Sequence, residues 1–248
     1  MREIAPFASV SGVGFPIVLG NPDLERTLIQ NFDLRYEVYP TPGEIFAISA
    51  YYKNFNDPIV WQLTPKASTP EIQPINVDKA IVYGAEVEFR KNLGFITPAM
   101  DNFKLSTNFT YIYSRVDKSQ EELDALENAN RPNIKDWRPF QGQSPYIVNV
   151  ALMHNSDQLQ WENSLSFNIF GERLAFITGA LDPDVYEQPR PSLNFVSTKR
   201  FGDHISLGFK AMNLLNMTFE KKFDFPGDFI YESYTLGTTF ELSLTYGI

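Results

Sequence analysis

The chain has 248 residues, a length that suits one large domain. Its 21 basic and 30 acidic residues give a formal charge of −9, and no basic stripe offsets it, which excludes nucleic acid as the main partner. Cys is absent and His occurs twice, so disulfides, thiol catalysis and Cys-ligated zinc drop out and no cofactor or metal site is expected.

Along the chain the dominant signal is alternation with period two. Phe32, Leu34, Tyr36 and Val38 oppose Asn31, Asp33, Arg35 and Glu37, predicting a strand over 26–39. Pro40, Thr41, Pro42 and Gly43 make a tight turn, and strands are predicted over 44–55 and 79–91. The connection 92–101 is longer than a tight turn. A strand over 102–115 sets Phe103, Leu105, Phe109, Tyr111 and Tyr113 against Lys104, Ser106 and Asn108. In the stretch that follows, Ser119 and Glu122 have capping-box spacing, predicting a short helix whose acidic residues form a solvated face. Further strands are predicted over 143–154, around Leu165 and Phe167, over 205–211, and from Phe240 to the end.

Alternation alone does not separate a soluble sandwich from a membrane barrel. Strand length does, because sandwich strands run about 5–6 residues whereas a tilted spanning strand needs roughly 9–11. The early runs here reach about 12 residues or more, the spanning regime. Short turns (40–43, 155–157, 202–204) also alternate with long polar stretches near 13–25, 57–77, 116–142, 171–190 and 217–234. That asymmetry belongs to a transmembrane barrel with brief periplasmic turns and long outer loops. The reading is all-β, an antiparallel transmembrane β-barrel segment of about ten strands. Tyr36, Tyr39, Tyr51, Tyr52, Tyr111, Tyr113 and Tyr246 are expected in interfacial girdles. Arg35, Glu37, Glu86, Glu88 and Arg90 are expected on the lumen face.

With those strands in place, several segments resemble the C-terminal part of TonB-dependent outer-membrane receptors. They are residues 2–7 (REIAPF), 20–27 (GNPDLERT), 31–37 (NFDLRYE), 51–55 (YYKNF), 83–89 (YGAEVEF), 143–149 (QSPYIVN) and 212–216 (MNLLN). The last strand resembles the terminal strand of that family, although Ile248 stands where the family usually has Phe. The family's barrel has roughly 22 strands and an N-terminal plug preceded by a TonB-binding segment. The expectation is therefore a fragment, residues 1–248 forming the C-terminal portion of the barrel, with its opening residues read as strand rather than as a leader. The resemblance implies a bacterial outer-membrane location, bilayer lipid around the barrel, and TonB-energised uptake of a scarce nutrient: siderophore–iron, cobalamin, glycan or peptide. It also implies the plug and the TonB complex as partners, and no enzymatic activity.

Two rivals stand beside this reading. One is a self-contained barrel, a porin or protease, and the other a soluble all-β binding module. His154 and His204 lie at short turns, whereas a barrel protease acting on external substrates needs its acid–base groups at the other rim. The pairs Asp182/Asp184 and Asp224/Asp228 flank Pro and Gly, and turn making explains them before Ca²⁺ does. Gly84 and Gly208 are expected to ease bends. Candidate ligand-binding residues are Trp61, Trp137, Arg138, Tyr186 and Arg190, because an aromatic beside Arg in an outer loop can stack on a planar ligand or pair with a carboxylate. Trp137 with Arg138 is the leading pair.

Overall fold

The computed structural model describes residues 4–5, 8–10, 16–66, 69–130, 134–179 and 181–247. Arg2, Glu3, Pro6 and Phe7 of the expected opening strand, and Ile248 at the end, lie outside the described residues. Strands β1 (Ala8–Val10) and β2 (Ile17–Leu19) are followed by β3 (Leu28–Val38), β4 (Ile45–Asn56), β5 (Ile59–Thr64) and β6 (Glu71–Asn76). Next come β7 (Lys79–Asn92), β8 (Phe103–Asp117), helix α1 (Gln120–Asn128) and the two-residue β9 (Trp137–Arg138). The middle holds β10 (Tyr146–Ser156), β11 (Trp161–Phe170), β12 (Arg173–Thr178) and β13 (Val185–Glu187). The chain ends through β14 (Ser192–Phe201), β15 (Ile205–Met212), β16 (Phe219–Phe223), β17 (Ile230–Tyr234) and β18 (Thr239–Tyr246).

Two sheets result. The larger runs β18-β15-β14-β11-β10-β8-β7-β4-β3, with β9 appended to β8, and all its pairings are antiparallel. Ten strands make up this sheet, as expected, but the tenth is β9, which comes from a long connection; nine strands do the crossing. It is an open barrel wall whose edges, β3 and β18, are not paired with each other. No helix among the described residues is long and apolar enough to cross a membrane, so any crossing falls to strands.

Register sorts the side chains. On one face Phe32 pairs with Tyr52, Tyr52 with Tyr83 and Tyr83 with Tyr113. The same face continues through Phe109 opposite Val148, Leu165 opposite Phe195, and Phe209 opposite Leu242. Nothing among the described residues covers it: Leu34 is 75% exposed and Phe109, on a central strand, 47%. A continuous apolar face of this extent does not survive in water, and no second layer among the described residues buries it, which counts against the soluble-module rival.

The opposite face is polar. Arg35 donates to Glu88 at 2.8 Å and to Glu37 at 3.1 Å, and Arg90 lies 3.7 Å from Glu88. These are the lumen residues expected from sequence. Two girdle expectations change. Tyr51, opposite Gly84, shares the inward face with Glu86, and Tyr39 hydrogen-bonds Glu37 on the same side. Gly84 also differs from expectation. A Cβ there would collide with the Tyr51 hydroxyl and the Tyr111 carbonyl, so the glycine makes room for a ring instead of bending the strand. Gly208 does the same for the Ser243 hydroxyl.

The second sheet, β1-β2-β6-β5-β12-β13-β16-β17, is built from the long connections. They are therefore ordered strands rather than polar loops. They also hold a core of their own: one cluster joins Val60, Leu174 and Ile177, another Leu63, Ile72 and Val185. The short connections close as turns, with Gly43 (φ 81°) and Gly202 (φ 64°) in the left-handed region that only glycine enters cheaply. The longer 92–101 connection folds into two 3₁₀ turns, Leu93–Phe95 and Pro98–Met100. Both histidines sit at this turn end. His154 leans on Phe103 (4.8 Å between rings), and the His204 Nδ1 is 3.1 Å from the Gly247 carbonyl.

Candidate functional site

Where β8 leaves the wall, the chain builds a rim. Ser119 ends the strand extension and its hydroxyl accepts the Glu122 N–H at 3.2 Å, starting α1 as the capping-box spacing predicts. The chain then returns as β9, antiparallel to the end of β8, with Trp137 opposite Asp117 and Arg138 opposite Val116. Neighbouring residues on a strand face opposite ways. Trp137 therefore points to the apolar outer side, and Arg138 points inward.

Arg138 is a hub. Only 6% of its side chain is exposed, and its guanidinium donates to Asp184 at 2.9 Å and to Glu122. Asp184 also accepts the Thr178 N–H at 3.0 Å, and Lys118 Nζ lies 3.9 Å from Glu122. Two carboxylates from different connections thus converge on one buried guanidinium, as a buried charge requires. Burial raises the Asp184 carboxyl above the usual carboxylate range, with Arg138 and the Thr178 amide pulling the other way. Burial lowers the Lys118 ammonium, and neighbouring Arg138 adds to that. Burial also pushes the Tyr186 hydroxyl well up.

Three residues on, Gln141 clamps two strands of the second sheet. Its Oε1 accepts the Trp61 N–H at 2.6 Å, and its Nε2 donates to the carbonyls of Trp61 (3.0 Å) and Ala175 (2.6 Å). Between α1, the end of β8 and the second sheet lies a cavity of about 400 Å³. Its floor is aliphatic (Val60, Ile75, Leu174 and Ile177), and its rim carries Lys118, Glu122 and Arg138. A compartment of this size and mixed lining suits a small ligand or one arm of a larger one. Among the described residues no group of three or more carboxylate or imidazole side chains converges to hold a metal ion.

The five residues singled out from sequence do not form one cluster. Arg138 lines the cavity. Trp61 packs against the Leu63–Ile72–Val185 cluster and Tyr186 against Val60–Leu174–Ile177, so both brace the sheet that walls it. Arg190 lies over the Phe219 ring at 5.8 Å, and its Nε is buried without a hydrogen-bond partner among the described residues. Sequence reasoning missed Lys118 and Gln141, which carry no motif. It took Asp184 for a turn residue, and only the pairing across 46 positions reveals its partner.

A family model described as TonB dependent receptor-like, beta-barrel, matches residues 5–214. No curated protein matches the chain by sequence. A ferric enterobactin receptor of Pseudomonas aeruginosa (PfeA), in complex with enterobactin, shares 19% identity and a TM-score of 0.59 over 99% of this chain and 36% of its own. The siderophore receptor PirA of the same organism gives 15% and 0.53 over 93% and 32%. The unliganded ferric citrate transporter FecA gives 13% and 0.62 over 88% and 31%. At these identities the likeness concerns the fold. The chain spans about a third of the length of these solved receptors.

Proposed function

The chain belongs to the TonB-dependent receptor-like β-barrel family, and from that premise we propose that it forms the C-terminal portion of the barrel of a receptor importing a scarce nutrient. The family consists of transport receptors of the bacterial outer membrane, not enzymes. The finer reading is uptake energised by TonB through a plug held in the lumen, with a small ligand captured at the outer rim. Ferric chelates are the first ligand class to test, since enterobactin, siderophore and ferric citrate receptors share the fold.

The observation that carries the proposal is the rim itself. Long connections are folded into a sheet with its own core, and that sheet walls a cavity opening beside the polar inner face. A simple porin does not need such an investment in its loops. The ligand is placed against the cavity edge near Arg138 and Lys118, with Trp61 and Tyr186 bracing the sheet that walls it. The inner-face ion pairs of Arg35, Glu37 and Glu88 leave exposed oxygens and N–H groups to meet a plug.

The test is uptake of radiolabelled ferric chelates, and in parallel cobalamin and oligosaccharides, by cells with and without this gene and with TonB inactivated. Uptake of one ligand should vanish in both mutant strains. Uptake that persists without TonB, or no loss for any ligand on deleting the gene, contradicts the proposal.

A further inference from the structure

We propose that the outer face of this barrel wall carries a binding site for the phosphorylated sugar headgroup of an outer-leaflet glycolipid, formed by Lys79, Arg115, Lys135 and Trp137. Along β7 and β8, moving toward the long connections, the outward positions are first Tyr83 opposite Tyr113 and then Ile81 opposite Arg115. Lys79 and Asp117 come next, with Trp137 set opposite Asp117 by β9. Hydrocarbon-facing rings thus give way within two positions to cations around an indole. Such a transition marks the headgroup level.

The contacts are specific. Tyr83 and Tyr113 stack at 4.9 Å, and Tyr113 meets Trp137 at 6.1 Å. Both the Arg115 guanidinium (6.0 Å) and the Lys135 ammonium (5.9 Å) stand over the Trp137 ring. Arg115 also binds Asp117 at 2.6 Å and Asp136 at 3.1 Å, but both carboxylates are 68% exposed. Pairs so open to solvent exchange readily with a competing anion. Three cations then face two carboxylates, leaving a net positive patch for phosphate, while the carboxylates can accept sugar hydroxyls. Cations, carboxylates and an indole together suit a sugar phosphate better than a bare anion.

The opposite rim is different. There Lys91 is closed in its pair with the buried Glu44, and Lys199 is set between Trp161 and Phe201 at 5.9 Å from each ring. It has no carboxylate partner among the described residues, and the array of cations, acids and indole is absent. Lys199 therefore serves as an internal control.

The inference rests on the orientation adopted above, long connections outward. Its test is native mass spectrometry of the protein purified from outer membranes, titrated with diphosphorylated lipid A, its dephosphorylated form and phosphatidylglycerol. The diphosphorylated lipid should bind most tightly. A juxtamembrane cation contributes about fivefold to such binding, so combining Arg115→Gln with Lys135→Gln should weaken it by about twenty-five-fold, and Lys199→Gln should leave it within about twofold. Equal binding of the dephosphorylated lipid or of phosphatidylglycerol, or an unchanged affinity in the double variant, overturns the site. The lipid comparison needs no variant, so it decides even if the double variant misfolds. Nutrient uptake in the same double variant should persist, because these residues face away from the lumen. No preference for the diphosphorylated lipid in the unaltered protein, with its uptake intact, would overturn this site and leave the receptor function standing.

Discussion

Glu44 illustrates how much one side chain does at the turn end. It is 5% exposed, its carboxylate accepts from Lys91 Nζ at 2.8 Å and from the Asn92 N–H at 3.1 Å, and it thereby ties the 40–43 turn to the long 92–101 connection. Asn92 continues the tie, accepting the Gly94 N–H and donating to the Asp101 carbonyl, each at 2.7 Å. The Lys91 ammonium holds the Glu44 carboxyl below its ordinary value, with burial opposing. A depressed folded value means that the contribution is fully present above the ordinary Glu value and is lost as pH falls through the lower folded one. Glu44→Gln should therefore reduce thermal stability at neutral pH, and the gap from wild type should close as the solution is acidified. Thermal melts of both proteins across that range check the sign; a gap that widens in acid contradicts it. The alternation rule operates at the same scale. Trp137 and Arg138 read from sequence as one aromatic–cation pair, yet as strand neighbours they face the lipid side and the lumen side.

Among the elements, the long strands were legible because a two-residue period sustained over eight to fifteen residues has no competing explanation. The capping box of α1 was legible for the same local reason. The second sheet was not. Its strands run three to six residues, one carries Pro74, and their pairings are non-local: Ile177 meets Gln62 in parallel across more than a hundred positions. Short apolar runs between Pro and Asp read as loop, and only tertiary pairing makes them sheet. What holds α1 to the rim is ionic, through Arg138 of β9, which in turn pairs with Asp184 beside β13. A helix of nine residues is marginal alone, none of its residues is buried, and Glu122 is bound to Arg138. Arg138→Ala leaves Glu122 and Asp184 without their shared cation, a loss of about 3–5 kcal/mol for a buried pair. Hydrogen exchange should then accelerate in α1 and around Thr178–Asp184 while β8 and β10 keep their protection. Unchanged exchange in α1 would show that the ion pairs do not hold it.

For the molecule as a whole, stability divides by solvent. The rim is a small protein with an aliphatic core, held by the rules of water. The wall's outward side chains find their apolar environment in the bilayer, while its inward face buries some apolar side chains, among them Val82, Ile112 and Val116, and pairs its charges with each other. This division explains a mean hydropathy of −0.24 in a chain that crosses membranes, because only alternate residues of the wall meet lipid. It also explains why no single segment announces itself as a span. The central claim is that parity decides environment. Nitroxide labels placed singly at residues 105 to 113 of β8, in protein reconstituted into lipid vesicles, test it most directly through collision with oxygen and with a water-soluble nickel chelate. Labels at Leu105, Thr107, Phe109, Tyr111 and Tyr113 should favour oxygen, and those at Ser106, Asn108, Thr110 and Ile112 should favour the chelate or be shielded from both. Accessibility that fails to alternate, or outward positions as open to the chelate as inward ones, would contradict the membrane-wall account.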